Sequence, residues 1–150
     1  MAEAIFNRLV PAGWLAMSAG SQPERGVHLR VISVLGRLGI PTHLLRPKTL
    51  AHVSIKPDAI VTLSADPMLQ KMIDSFQPIE FSCWDVPDPL VLTGSNEQLD
   101  AAFLETFRAL EIRIRILIDT MSSSIDTNAF CLRSALECAR THSLPNLTSQ

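Results

Sequence analysis

The chain has no surplus of positive charge, no long apolar run, no tyrosine and only three cysteines. Each shortage narrows what it can do. Thirteen Lys and Arg against fifteen Asp and Glu leave a formal net charge of −2 and a sequence pI near 6.0. No global positive field is available to collect phosphates along a polynucleotide, so nucleic acid is not expected as a partner. Nothing approaches the ~20 apolar residues that a bilayer span needs, and no charged and apolar leader opens these residues. The expectation is a soluble, cytoplasmic protein with no membrane association. Cys83, Cys131 and Cys138 are too few and too irregular for a disulfide framework and suit a reducing compartment. His28, His43, His52 and His142 are scattered, without the paired spacing that zinc requires. Each reads as a surface or capping histidine, and neither metal nor cofactor is expected.

Aromatic residues are scarce, at 5%, but 47% hydrophobic and 19% charged residues fall within the globular range. A chain of 150 residues buries roughly two-thirds of its unfolded surface around one core. Its pattern alternates helices with short apolar runs. Residues Met1 to Val10 have helical spacing and are closed by Pro11 and Gly13. Trp14 to Ser18 fits a buried strand running into a turn at Ala19-Gly20. Val27, Val31, Val34, Leu35 and Leu38 repeat at threes and fours, predicting a helix that Gly39 ends. Thr42 to Pro57 shows little periodicity and reads as a loop with room for one helical turn.

Ala59 to Leu63 is a second buried strand, and Asp66-Pro67 offers a cap and a first residue for a helix reaching about Phe76. Ile79 to Trp84 alternates as a third strand, broken by Asp85-Val86-Pro87-Asp88-Pro89. Ser95 and Asn96 cap a long helix whose stripe of Leu99, Phe103, Phe107, Leu110, Ile114 and Leu117 runs to about Thr120. Its acidic residues lead, and Arg113 and Arg115 trail as the macrodipole favours. A serine-rich break at Ser122 to Ser124 precedes a last helical segment, Asn128 to Thr141. Alternating strands and helices predict an α/β fold with a doubly wound parallel sheet.

Ala16-Met17-Ser18-Ala19-Gly20 is near a hydrolase nucleophile elbow, but its first glycine is Ala and no helix starts promptly after it. A strand-ending turn accounts for it. Cys131 and Cys138 lie seven apart on one helical face, too far along the axis for a disulfide.

Taken in order, several phrases resemble the thiol-dependent arsenate reductases and the low-molecular-weight protein tyrosine phosphatases. Met1-Ala2-Glu3-Ala4-Ile5-Phe6 is similar to the start of that family's first helix. Ser18-Ala19-Gly20-Ser21 and Val27-His28-Leu29-Arg30 resemble its second strand, turn and second helix. Ala59 to Ser64 is similar to the third strand, and Trp84-Asp85-Val86-Pro87-Asp88-Pro89 to the loop that delivers the general acid. Thr93-Gly94-Ser95 and the long last helix complete the match, which runs to about Asp119.

The resemblance implies chemistry in which a Cys, five residues and an Arg wrap an oxyanion at a helix N-terminus. The thiolate attacks phosphorus or arsenic, and an Asp protonates the leaving oxygen. The residues six after Cys83, Cys131 and Cys138 are Pro89, Glu137 and Leu144, so none of the three starts that motif. Asp88, directly before Pro89, matches the acid, and Asp85 is the second candidate. The competing reading is an Asp-Pro turn whose carboxylate caps local backbone. The region from Ser64 also lacks the two cysteines of the thioredoxin-coupled reductases.

The expectation is therefore a phosphatase-like doubly wound sheet over residues 1–120 with its first central strand and Cys loop missing. Residues 121–150 form a C-terminal extension carrying a helix. As given, the chain is expected to be inactive in phosphoester hydrolysis or arsenate reduction. The alternative is a loop-less, non-catalytic binding or regulatory paralogue. If the loop were restored, a phosphate-like oxyanion or phosphoprotein would be the substrate. A homo-oligomer joined through the missing-strand slot is a further expectation.

Overall fold

The structure, a computed structural model, describes residues 1–53, 55–65, 67–123 and 129–141. Among these residues five α-helices, α1 (Ala2–Leu9), α2 (Leu29–Arg37), α3 (Pro67–Phe76), α4 (Asn96–Ser123) and α5 (Ala129–Thr141), accompany two strands, β1 (Ala59–Thr62) and β2 (Glu80–Cys83). Single 3-10 turns occupy Leu50–His52 and Pro89–Val91. The fold is α/β. Among the described residues its sheet consists of β1 and β2, paired in parallel with Ala59 opposite Glu80 and Thr62 opposite Cys83, and joined through α3.

The expected helices form for the reasons the sequence supplies. At the C-terminus of α2, Gly39 takes φ +65°, a conformation that glycine adopts without Cβ strain. Its N–H donates to the Gly36 carbonyl at 3.0 Å, and the Ile40 N–H reaches back to Leu35 at 2.9 Å. Buried Ile40 and Leu35 accompany these bonds, which together make a Schellman ending. His28 caps the other end through Nδ1, which accepts the Arg30 N–H at 3.2 Å. At the start of α4, Ser95 Oγ accepts from the Gln98 N–H at 3.3 Å, and Gln98 Oε1 accepts from the Ser95 N–H at 2.8 Å. This is a reciprocal capping box.

Helix α4 is the spine. At 28 residues it is about 42 Å long, and Phe103, Phe107, Leu110, Ile114, Leu117, Ile118 and Met121 are all buried along it. The serines at 122 and 123 do not break it, because the apolar stripe continues through Ile118 and Met121. Packing outweighs their modest helix propensity. Helix α1 packs on α4 through Ala4 and Ile5. Helix α2 docks through the His28 ring, stacked on Phe103 with centroids 5.0 Å apart, and through an Arg30–Asp100 ion pair. Helix α5 lies against both α4 and β2, burying Ala135, Leu136 and Ala139. It also pairs the Arg133 guanidinium with Glu80, a carboxylate only 8% exposed, at 3.1 Å.

One expected strand is corrected. Trp14 to Ser18 is not part of a sheet; side chains of α1 take up its backbone groups instead. Asn7 Nδ2 donates to the Ala16 carbonyl at 2.9 Å, and Asn7 Oδ1 accepts the Ala16 N–H at 2.7 Å. The carboxamide thus does for Ala16 what a neighbouring strand does. Glu3 Oε2 accepts from the Ser18 N–H at 2.8 Å and from the Ser18 hydroxyl. An isolated parallel bridge between Gly20 and Thr49 follows, with the Gly20 N–H on the Lys48 carbonyl at 3.0 Å.

Candidate acid loop

The segment from Trp84 to Pro89 leaves the C-terminal end of a parallel strand, the end where open α/β sheets bind their ligands. Its residue types decide which side chains turn inward. Trp84, Val86 and Pro89 are buried, while Asp85, Pro87 and Asp88 are exposed. Three apolar anchors therefore hold two carboxylates at the surface.

The backbone is anchored as firmly. The Trp84 N–H donates to the Thr62 carbonyl at 2.9 Å, and the Val86 N–H donates to Leu63 at 2.7 Å, carrying the β1–β2 pairing past Cys83. Asp85 lies between them at φ +46°, a left-handed conformation that Asp tolerates better than most residues. The Trp84 carbonyl accepts from Arg113 Nη1 of α4 at 2.6 Å, and Arg113 is itself buried. Three buried polar atoms here, Ser82 Oγ, Trp84 Nε1 and Arg113 Nε, have no partner among the described residues.

Asp88 precedes the 3-10 turn Pro89–Val91, and its Oδ1 accepts the Leu90 N–H at 2.9 Å. The carboxylate of this exposed residue therefore acts as a local cap, the competing reading of the Asp-Pro sequence. Asp85 and Asp88 share this loop. The Cys83 thiol, half-buried and free, stands at the end of β2 opposite Thr62. The Cys138 thiol is free and exposed, whereas the Cys131 side chain and His142 lie outside the described residues.

Sequence reasoning missed Arg113 as the residue that positions this loop. Its expected place at the trailing end of the helix is corrected, because α4 runs on to Ser123 and leaves Arg113 in mid-helix. The signal was present in the spacing: Arg113 is three after Leu110 and four before Leu117, on the buried stripe.

In the first turn of α1, burial pushes the Glu3 carboxyl up. The hydrogen bonds from Ser18 and the Lys48 ammonium, at 3.1 Å, outweigh burial and hold it below its ordinary value. A cavity of about 200 Å³, lined by Val10, Pro11, Trp14, Ile118, Met121 and Ser122, lies by the C-terminal ends of α1 and α4 and includes neither aspartate. Among the described residues no group of three His, Cys, Asp or Glu is arranged to hold a metal ion. No helix among them is long and apolar enough to cross a membrane.

A protein-family model described as low molecular weight phosphotyrosine protein phosphatase matches residues 1–127. The matched stretch contains the whole of the Trp84 to Pro89 loop, and α5 begins just beyond it. No curated protein matches the chain significantly.

Proposed function

We propose a function from one premise, that this chain belongs to the low molecular weight phosphotyrosine protein phosphatase family: its residues carry the acid side of that family's phosphoester chemistry. Asp88 is the group that protonates the leaving oxygen. The nucleophile side is not supplied by these 150 residues, because no cysteine is followed six positions later by arginine. By itself this stretch turns over neither aryl phosphate nor arsenate. The fold is a doubly wound parallel sheet, of which β1 and β2 are the strands among the described residues, and the protein works in the cytoplasm.

The observation that carries the reading is the construction of the acid loop. It leaves the C-terminal end of β2 with Trp84, Val86 and Pro89 buried and Asp88 exposed, and buried Arg113 fixes the Trp84 carbonyl. A general acid needs such a rigid mount, since small displacements from a reacting atom cost large factors in rate. A second reading, a non-catalytic binding module, is favoured by the Asp88–Leu90 bond, which gives the carboxylate a structural task of its own.

The test has two arms. The 150-residue chain is assayed with an aryl phosphate, and no turnover is expected. Turnover that disappears on Asp88→Asn overturns the claim of inactivity. In the second arm, a strand and a Cys-x5-Arg loop are placed ahead of residue 1. Asp88→Asn should then lower kcat by about 10²- to 10⁴-fold with poor leaving groups. An unchanged kcat would assign Asp88 to capping alone and favour the binding module.

A further inference from the structure

The ring of His28 has two tasks at the start of α2. Its Nδ1 accepts the Arg30 N–H at 3.2 Å and so caps the first turn. Its face lies on Phe103 of α4, with centroids 5.0 Å apart and planes 15° from parallel. Phe103 is buried and His28 is exposed, so solvent protons reach a ring that is anchored on the core by one face. An acceptor at Nδ1 keeps its lone pair there, which places the proton of the neutral ring on Nε2. Ser, Thr and Asn cap helices equally well and do not titrate between about pH 5 and 8, the range in which histidine changes charge.

An imidazolium has N–H groups at both nitrogens and accepts from neither. Adding the proton at Nδ1 therefore sets one donor against another at the Arg30 N–H. The charged groups around the ring are Arg30 on its own helix and Asp100 on α4, one turn before Phe103 and paired with the Arg30 guanidinium. Arg30 also donates to Asn96 Oδ1 at 2.8 Å, and Glu24 and Arg25 precede the ring in the chain. Arg30 and the positive end of the helix dipole oppose the new charge. Asp100 and the π face of Phe103 favour it. These influences offset one another and leave the ring on Phe103, whereas the cap bond is lost outright.

We infer that His28 is a proton-operated latch on α2: the neutral ring holds the first turn closed, and the imidazolium lets it open while the ring stays stacked on Phe103. The opening is local. The Val31 and Ile32 N–H groups share the His28 carbonyl at 3.0 and 3.2 Å, so they are released with the Arg30 N–H. Arg30 then has no fixed backbone from which to hold Asp100 and Asn96, and the clasp between α2 and α4 slackens from its N-terminal end. The far end of α2 keeps its own stop, the backbone bonds of Gly39 and Ile40, which contain no titrating group. The latch is closed above the range in which histidine titrates and opens as pH falls through it. Asp88 and the acid loop take no part in it.

The experiment is amide exchange in the full 150-residue chain, read as protection factors at about pH 8 and about pH 5, so that the intrinsic effect of pH on exchange cancels. Protection at Arg30 and Ile32 should fall about tenfold in acid, while protection at Ile40 stays the same. His28→Asn supplies a cap that does not titrate, so its Arg30 and Ile32 amides should be protected equally at both pH values. His28→Ala has no cap, and its Arg30 amide should be unprotected at both. Wild-type protection at Arg30 that is the same at both pH values overturns the inference. So does a fall that persists in His28→Asn, which would assign the pH dependence to another group. An equal fall at Ile40 also overturns it, because the whole helix would then be loosening. The ring-current shift that Phe103 imposes on the His28 ring protons should survive in acid, and its loss would overturn the claim that the ring stays in place.

Discussion

Arg113, buried on α4, donates from Nη1 to the carbonyl of Trp84 at 2.6 Å, across 29 positions of sequence. This bond couples the longest helix to the loop that presents Asp88, so the loop's placement depends on a residue remote from it in the chain. Arg113→Met keeps the apolar bulk and removes the donor, leaving the Trp84 carbonyl without its bond. We expect a loss of about 1–3 kcal/mol in urea unfolding, with faster amide exchange at Val86. An unchanged midpoint would mean that the two backbone bonds to Thr62 and Leu63 suffice to hold the loop.

The carboxamide of Asn7 stands in for a strand. Asn7→Leu removes both of its bonds to Ala16 while retaining volume, and should cost about 1–3 kcal/mol for the pair. The local signature is rapid exchange of the Ala16 amide. If that amide keeps its protection, something other than Asn7 is pairing it.

Stability should fall in acid partly because of Glu3. Its carboxyl is held below the ordinary value of 4.5 in the folded protein by Ser18 and Lys48. The unfolded chain therefore takes up a proton at a higher pH than the folded one does. The contribution is complete above the ordinary value and is lost as pH falls through the folded one. Glu3→Gln should lower stability at neutral pH and flatten the acid limb of a stability-against-pH curve. A parallel curve for the variant would remove Glu3 from the account.

Gly94 leaves room for the capping box of α4. A Cβ there would meet Gln98 Oε1 at 2.5 Å, so Gly94→Ala must swing the glutamine away from the Ser95 amide. The glutamine end is flexible, which limits the penalty to the lost cap, about 0.5–2 kcal/mol. Ser95→Ala should cost a similar amount. The double variant should cost little more than either single one, because both remove one reciprocal interaction.

Leu136, 2% exposed, is the largest buried apolar side chain of α5 among the described residues. Leu136→Ala should destabilise by about 2–5 kcal/mol and loosen α5 before the rest, seen as exchange of its amides ahead of those of α4. Cooperative loss of both helices at once would make α5 part of a single folding unit.

The helices were legible because their signals are local. The stripe from Leu99 to Leu117, Ser95 with Gln98, and Gly39 before Pro41 each state a period, a start or a stop within a few residues. The acid loop was legible in its wording, but burial of Trp84, Val86 and Pro89 was not, because 84, 86 and 89 follow no single period. What the sequence concealed was pairing. The apolar run at Trp14 to Ser18 has the composition of a strand, but composition does not say that Asn7 and Glu3 will take its backbone bonds. Arg113 was hidden by its charge, which suggests a solvent-facing or dipole-complementing role until the carbonyl it serves is known. The grip of α5 on β2 joins Arg133 to Glu80 over 53 positions, a separation that no local window spans.

That separation also sets an order of assembly. A ribosome releases β2 well before it releases α5, so a nascent chain holds Glu80 without its cation and the surface under Leu136 without its cover for many residues of synthesis. In such a chain α1 and α2, of eight and nine residues, have no helix to pack on until α4 emerges, and the core is not complete until Ala139 has emerged. During that interval it is sticky and proteolytically vulnerable, so its yield in a cell should depend more on translation speed and chaperone supply than its final stability suggests.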